Sequence, residues 1–174
     1  MLDFEDRLKG GHPNSLGNTI EIVEEVLETP SLFGRVFECY FSNDEVVRLR
    51  VSNAMKRICK AEKKLVVPYL DRLLNEISRI DQASTQWTLA QLFLALEKDM
   101  TSAQKSRAIT IMKKNLVSHD DWIVLNQTME TLGRWASKDI GLKHWLQPHL
   151  LRLSKDERKS VAKKAMKTKE ILRK

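Results

Sequence analysis

The chain has 174 residues, 42% of them hydrophobic and 30% charged, with only six Gly and four Pro. That balance supports one helix-rich domain with its own core and excludes a disordered or collagen-like chain. The net charge of +7 is unevenly placed: residues 1–151 hold 20 Lys/Arg and 20 Asp/Glu, so the excess lies in residues 152–174.

No apolar run approaches the roughly 18 residues that span a bilayer, so no membrane segment is expected. The acidic start Met1-Leu2-Asp3-Phe4-Glu5-Asp6 lacks the apolar core of a signal peptide. Cys39 and Cys59 sit in apolar-periodic segments. They are expected to be buried free thiols in a reducing compartment, which points to the cytoplasm.

Residues 1–15 are expected to form a flexible N-terminal arm, because Gly10-Gly11-His12-Pro13-Asn14-Ser15 cannot continue a helix. Residues 16–174 are then a single domain. A first helix is predicted over 17–28, with Ile20, Val23, Val26 and Leu27 on one face. Glu21, Glu24, Glu25 and Glu28 occupy the other, which suits a capping helix with its acidic side in water.

A hairpin follows, pairing a helix over 31–41 with one over 44–60. Leu32, Phe33, Val36, Phe37 and Tyr40 form the stripe of the first. Val47, Val51, Ala54, Met55 and Ile58 form that of the second, after a capping turn at Ser42-Asn43-Asp44. Three more hairpins fit the same template, pairing 65–80 with 83–97, 101–117 with 121–136, and 142–153 with 156–172. Ala83, Trp87, Ala90 and Leu94 are expected to repeat the buried positions, as are Val124, Thr128, Thr131, Leu132 and Trp135, and then Arg158, Ala162, Ala165 and Met166. The first helices also echo each other, since Pro-x-Leu-x-Arg-Leu occurs at 68–73 and again at 148–153. A unit returning every 34 to 41 residues indicates stacked helical hairpins.

The spacing of Asp44, Val47, Arg48, Ala54 and Met55 resembles the HEAT-repeat family over about residues 30–172, with armadillo-type repeats as the near neighbour. The resemblance implies an all-α, right-handed superhelix (solenoid) of about four HEAT-like hairpins plus the N-terminal capping helix. It also implies that Asp44 and Arg48 are structural, as part of a ladder between repeats. In the other copies the Arg gives way to Ser84, Leu125 and Lys159.

No catalytic constellation is found. There is no Gly-rich phosphate loop, no Cys-x-x-Cys, no His-Glu-x-x-His and no Gly-x-Ser-x-Gly. His144 and His149 lie about 140° apart on a helix and do not share a face. His119-Asp120-Asp121 is expected to cap a helix, not to bind metal. No cofactor and no small-molecule ligand are inferred. Trp87 and Trp135 are assigned to the core, whereas Trp122 and Trp145 could pack or act as surface anchors.

The leading expectation is a non-enzymatic module that binds a protein partner on the concave face of the second helices. Its contacts would be Arg50, Asn53, Arg57, Gln86, Gln91, Asn126, Gln127 and Glu130. The alternative is nucleic-acid binding by the basic last helix, through Lys159, Lys163, Lys164, Lys167 and Lys174. A HEAT-like DNA glycosylase or chromophore lyase is a minor alternative, and no catalytic residue of either family matches a position here. The identity of the partner and the oligomeric state stay open.

Overall fold

A computed structural model describes residues 3–12 and 14–173. They form ten α-helices and no strand: α1 Phe4–Leu8, α2 Thr19–Glu28, α3 Phe33–Glu38, α4 Glu45–Ala61, α5 Leu70–Asn75, α6 Ala83–Ala95, α7 Ser102–Ser118, α8 Trp122–Ala136, α9 Ile140–Leu153 and α10 Lys159–Arg173. None of these helices is long and apolar enough to cross a membrane.

Local chemistry starts most of them. Asp44 accepts from the Val46 N–H, and Asp121 from those of Ile123 and Val124. Asp139 accepts from Leu142, and Thr101 and Gln104 form a reciprocal capping box. Each satisfies backbone donors that the first helical turn leaves free. Pro30 and Pro68 open short 3-10 turns, so α3 and α5 are only six residues long.

The even-numbered helices pack side by side in chain order, α2 on α4, α4 on α6, α6 on α8 and α8 on α10. The odd-numbered helices cover one side of this row, with α7 and α9 against α8, and α9 also against α10. Polar contacts between them recur at about one repeat length. Arg72 pairs with Glu38, Arg107 donates to the Leu74 carbonyl and Arg152 to the Leu116 carbonyl, at separations of 34, 33 and 36 residues. In the even row Arg48 donates to Gln82 Oε1 at 2.7 Å, and Thr131 to the Ala90 carbonyl at 2.8 Å. Gln82 begins α6 where Asp44 begins α4, so Arg48 spans from one repeat to the start of the next.

Burial sets the register between copies. The stripe Val47, Val51, Ala54, Met55 and Ile58 is fully buried, and so is Val124, Thr128, Thr131, Leu132 and Trp135. In α6 Ala90 is buried as expected, but the main stripe is Thr85, Leu89, Leu92 and Phe93, followed by Leu96 just past the helix, two residues later than expected. Trp87 and Leu94 are half-buried instead. In α10 the set is Val161, Ala165, Thr168 and Leu172, and Met166 is half-exposed. Arg158 lies before α10, where it pairs with Asp156 at 2.8 Å. In α2 the buried residues include Ile22, Val23 and Val26, with Ile20 and Leu27 only half-buried.

The expectation of a flexible arm over 1–15 is corrected for its described part. Phe4 and Leu8 are buried in the core, and Arg7 forms an ion pair with Glu25 at 2.5 Å. Arg50 anchors the following turn, as set out below.

Gly133 lets α8 and α10 approach closely. A Cβ there would lie 2.5 Å from Thr168 Cγ2. Gly133→Ala is therefore expected to lower stability by about 1–3 kcal/mol, despite the better helix propensity of Ala. Urea denaturation checks this, and adding Thr168→Ser, which removes that methyl, should restore most of the loss.

Candidate functional site

The side of the even row turned away from the odd helices stays accessible, and it carries a polar ladder. Asn53, Gln91, Glu130 and Lys167 occupy corresponding positions of successive even helices, each six residues after the residue that opens the buried stripe, Val47, Thr85, Val124 and Val161. The first three are half-buried and Lys167 is exposed. Beside the ladder a shallow cleft of about 230 Å³ is lined by Glu45, Val46, Leu49, Gln82, Ala83, Ser84 and Trp87.

The eight expected partner contacts divide. Asn53, Arg57, Gln91, Gln127 and Glu130 reach this open face. Arg57 donates to Asn53 Oδ1 at 2.7 Å, and Arg134 to Glu130 Oε1 at 2.7 Å. Arg50, Gln86 and Asn126 are corrected, because all three are buried. Arg50 donates to the carbonyls of Leu8, Lys9, His12 and Ser15. Gln86 donates to the carbonyls of Ser78 and Ile80 and accepts from Asn115 at 2.8 Å. Asn126 is 9% exposed, with no partner for its buried Oδ1 among the described residues. An even helix is flanked by row neighbours as well as by the odd layer, so only a narrow strip stays open. A two-faced helical wheel overestimates that strip.

The last helix keeps Lys159, Lys163 and Lys167 exposed, with no carboxylate in ion-pair reach among the described residues. Lys164 is committed elsewhere, to Glu130 at 2.8 Å. That contact, with Arg134 behind it, holds the Glu130 carboxyl below its usual range. Lys174 lies outside the described residues.

Among the described residues no three metal-type side chains come together. The His119–Asp121 group makes a cap, in which His119 Nδ1 accepts from the Asp121 N–H at 3.1 Å. Cys39 and Cys59 are free and buried, and burial pushes both thiols up to about 11. Burial thus disfavours the thiolate, the reactive form of cysteine. Trp135 is buried in the core; Trp122 is 48% exposed at the start of α8. Trp145 is half-buried, stacked on His149 at 4.2 Å with the Lys113 ammonium 4.6 Å from its ring centre.

A second concavity was not anticipated. The outer segment after α5 ends in a 3-10 turn at Ile77–Arg79, whereas α7 runs on to Ser118. The mismatch opens a cleft of about 540 Å³ lined by Arg79, Ile80, Asp81, Arg107, Ile111, Lys114 and His119, among others, with the buried Gln86–Asn115 pair contributing to its wall. Arg107, Ile111, Lys114 and Ser118 share one face of α7 by helical spacing. That spacing was visible in the sequence, but the helix end facing it was not.

Compared with known proteins, the chain matches no family model, no curated protein and no solved structure.

Proposed function

We propose that this chain is a non-enzymatic binding module of the HEAT-like helical-repeat type, which holds a protein partner against the open face of its even-numbered helices. The observation that carries the reading is that face itself. Half-exposed Leu49 and Trp87 border a cleft beside the ladder of Asn53, Gln91 and Glu130. An accessible aromatic with adaptable polar neighbours has the composition of an interface hot spot. The repeat-length polar contacts between successive helices support the HEAT-like superhelix, in which such a row lines the concave side. Two buried free thiols fit a reducing compartment such as the cytoplasm.

The test is site-specific photo-crosslinking in the native host. A photoreactive residue at Gln91 or at Gln127 should trap the same protein, and one at Ser106 on α7 should not. Adding Trp87→Asp should remove both adducts. Adducts from Ser106 alone would sink the proposal.

Nucleic-acid binding by α10 is the second reading. It is favoured by the exposed stripe of Lys159, Lys163 and Lys167, and it requires affinity that falls steeply with salt.

A further inference from the structure

The cleft beside α7 has a charge pattern that the packing does not use. Arg79, Arg107 and Lys114 line it, against the single carboxylate of Asp81. None of the three cations has a carboxylate within ion-pair distance among the described residues. Elsewhere in the molecule Arg7, Arg72, Arg134 and Arg158 are so paired, while Arg48, Arg50, Arg57 and Arg152 donate to amide or carbonyl oxygens. Arg107 spends only its Nε–H, on the Leu74 carbonyl at 3.3 Å, which leaves both terminal amino groups available. Glu76, whose carboxyl is lowered by Arg72 and also feels Arg79, is held by Arg72 at 2.9 Å. The cleft therefore keeps a net charge of about two positive units, the complement of a phosphate monoester near neutral pH.

Its size and walls narrow the ligand. A volume of about 540 Å³ lies inside the range of about 300–1,000 Å³ typical of small-molecule sites. Ile80 and Ile111 form apolar wall, while the Gln86 amide and the Ser78 and Ser118 hydroxyls donate within the protein, which leaves the phosphate to the three cations. Two arginines and a lysine drawn from two elements suit the several oxygens of a phosphate better than a lone carboxylate. The Gln86–Asn115 bond and the Gln86 bonds to the carbonyls of Ser78 and Ile80 tie the turn to α7, so the cleft is preformed.

We propose that this cleft binds a small, soluble phosphate ester, with Arg79, Arg107 and Lys114 on its phosphate and Ile80 and Ile111 against its apolar part. The site is separate from the open face of the even row and does not depend on a protein partner there.

The experiment is a titration of the full chain with inorganic phosphate and with adenosine 5′-monophosphate at low ionic strength, followed by backbone amide NMR. Saturable shifts confined to residues 78–81 and 107–119 are expected, with the nucleotide tighter than phosphate. Arg107→Ala with Lys114→Ala should weaken binding about tenfold or more. Lys143→Ala, on α9, should leave it unchanged. Both cleft residues are exposed, and unchanged spectra away from the cleft show that the variant folds. Single-stranded RNA and vesicles containing phosphatidic acid form parallel arms. Absence of saturable binding by either small anion overturns the proposal. So does binding of RNA or vesicles alone, even where the double variant abolishes it.

Discussion

Replacing Arg50 by Ala is expected to lower stability by about 3–5 kcal/mol and to release the N-terminal segment from the body. The guanidinium is 2% exposed. Its hydrogen bonds go to backbone oxygens: Leu8 at 2.6 Å, Ser15 at 3.1 Å, Lys9 at 3.2 Å and His12 at 3.3 Å. Desolvating a charge is unfavourable unless its donors are met, and here four carbonyls meet them. Truncation would leave the carbonyls of Leu8, Lys9 and Ser15 without this donor, His12 keeping the Ser15 N–H, and open a side-chain-sized void.

The segment is shaped around this side chain. Gly11 and Gly17 have positive φ, and a Cβ on Gly17 would fall 2.9 Å from Arg50 Cζ. Urea denaturation gives the stability change, and hydrogen exchange at residues 4–9 reports the release. Arg50→Lys should fall between wild type and Ala, since one ammonium cannot reach four carbonyls spread over eight residues. A loss below about 1 kcal/mol with unchanged exchange would refute the clamp.

Trp135→Ala should be comparably severe, at about 3–5 kcal/mol. The indole is 2% exposed in the core beneath α8, with the Lys105 ammonium 4.9 Å from its ring centre. Its Nε1–H has no partner among the described residues. That makes Trp135→Phe the informative control. It removes an unsatisfied donor together with part of the ring, so its penalty should stay near 1 kcal/mol. Equal losses for Ala and Phe would show instead that the indole N–H holds the site together. Because total stabilities run to about 5–15 kcal/mol, either the Arg50 or the Trp135 truncation removes a large share of the folded state's margin.

The two residues differ in how legible they were. Trp135 follows from spacing, because Val124, Thr128, Thr131, Leu132 and Trp135 trace one face of a helix whose cap at Asp121 is unambiguous. Arg50 lies on the polar side of an equally clear pattern, where spacing alone places it among the partner contacts of the open face. Its true environment is a glycine-rich turn more than thirty residues earlier. The same limit explains the slipped registers. Over Ala83–Ala95 the apolar residues Trp87, Leu89, Leu92, Phe93 and Leu94 fall on every side of the helix, so periodicity selects no phase. The structure resolves it by burying Ser84, Thr85, Gln86 and Thr88 as well. In α10 the apolar residues come in adjacent pairs, Val161-Ala162, Ala165-Met166 and Ile171-Leu172, so spacing fits two phases one residue apart.

What the chain determines by itself is local: where the capped helices start, at Asp44, Thr101, Asp121 and Asp139, and which residues within a turn or two share a face. Caps, prolines and the 3.6-residue period act within a turn or two, so they can be read directly. Which side of each helix is covered is decided by neighbours one repeat away. That is why only the tertiary structure could bury Arg50, Gln86 and Asn126, leave Trp87 half-open, and set the three cations around a cleft where a short outer helix ends beside a long one.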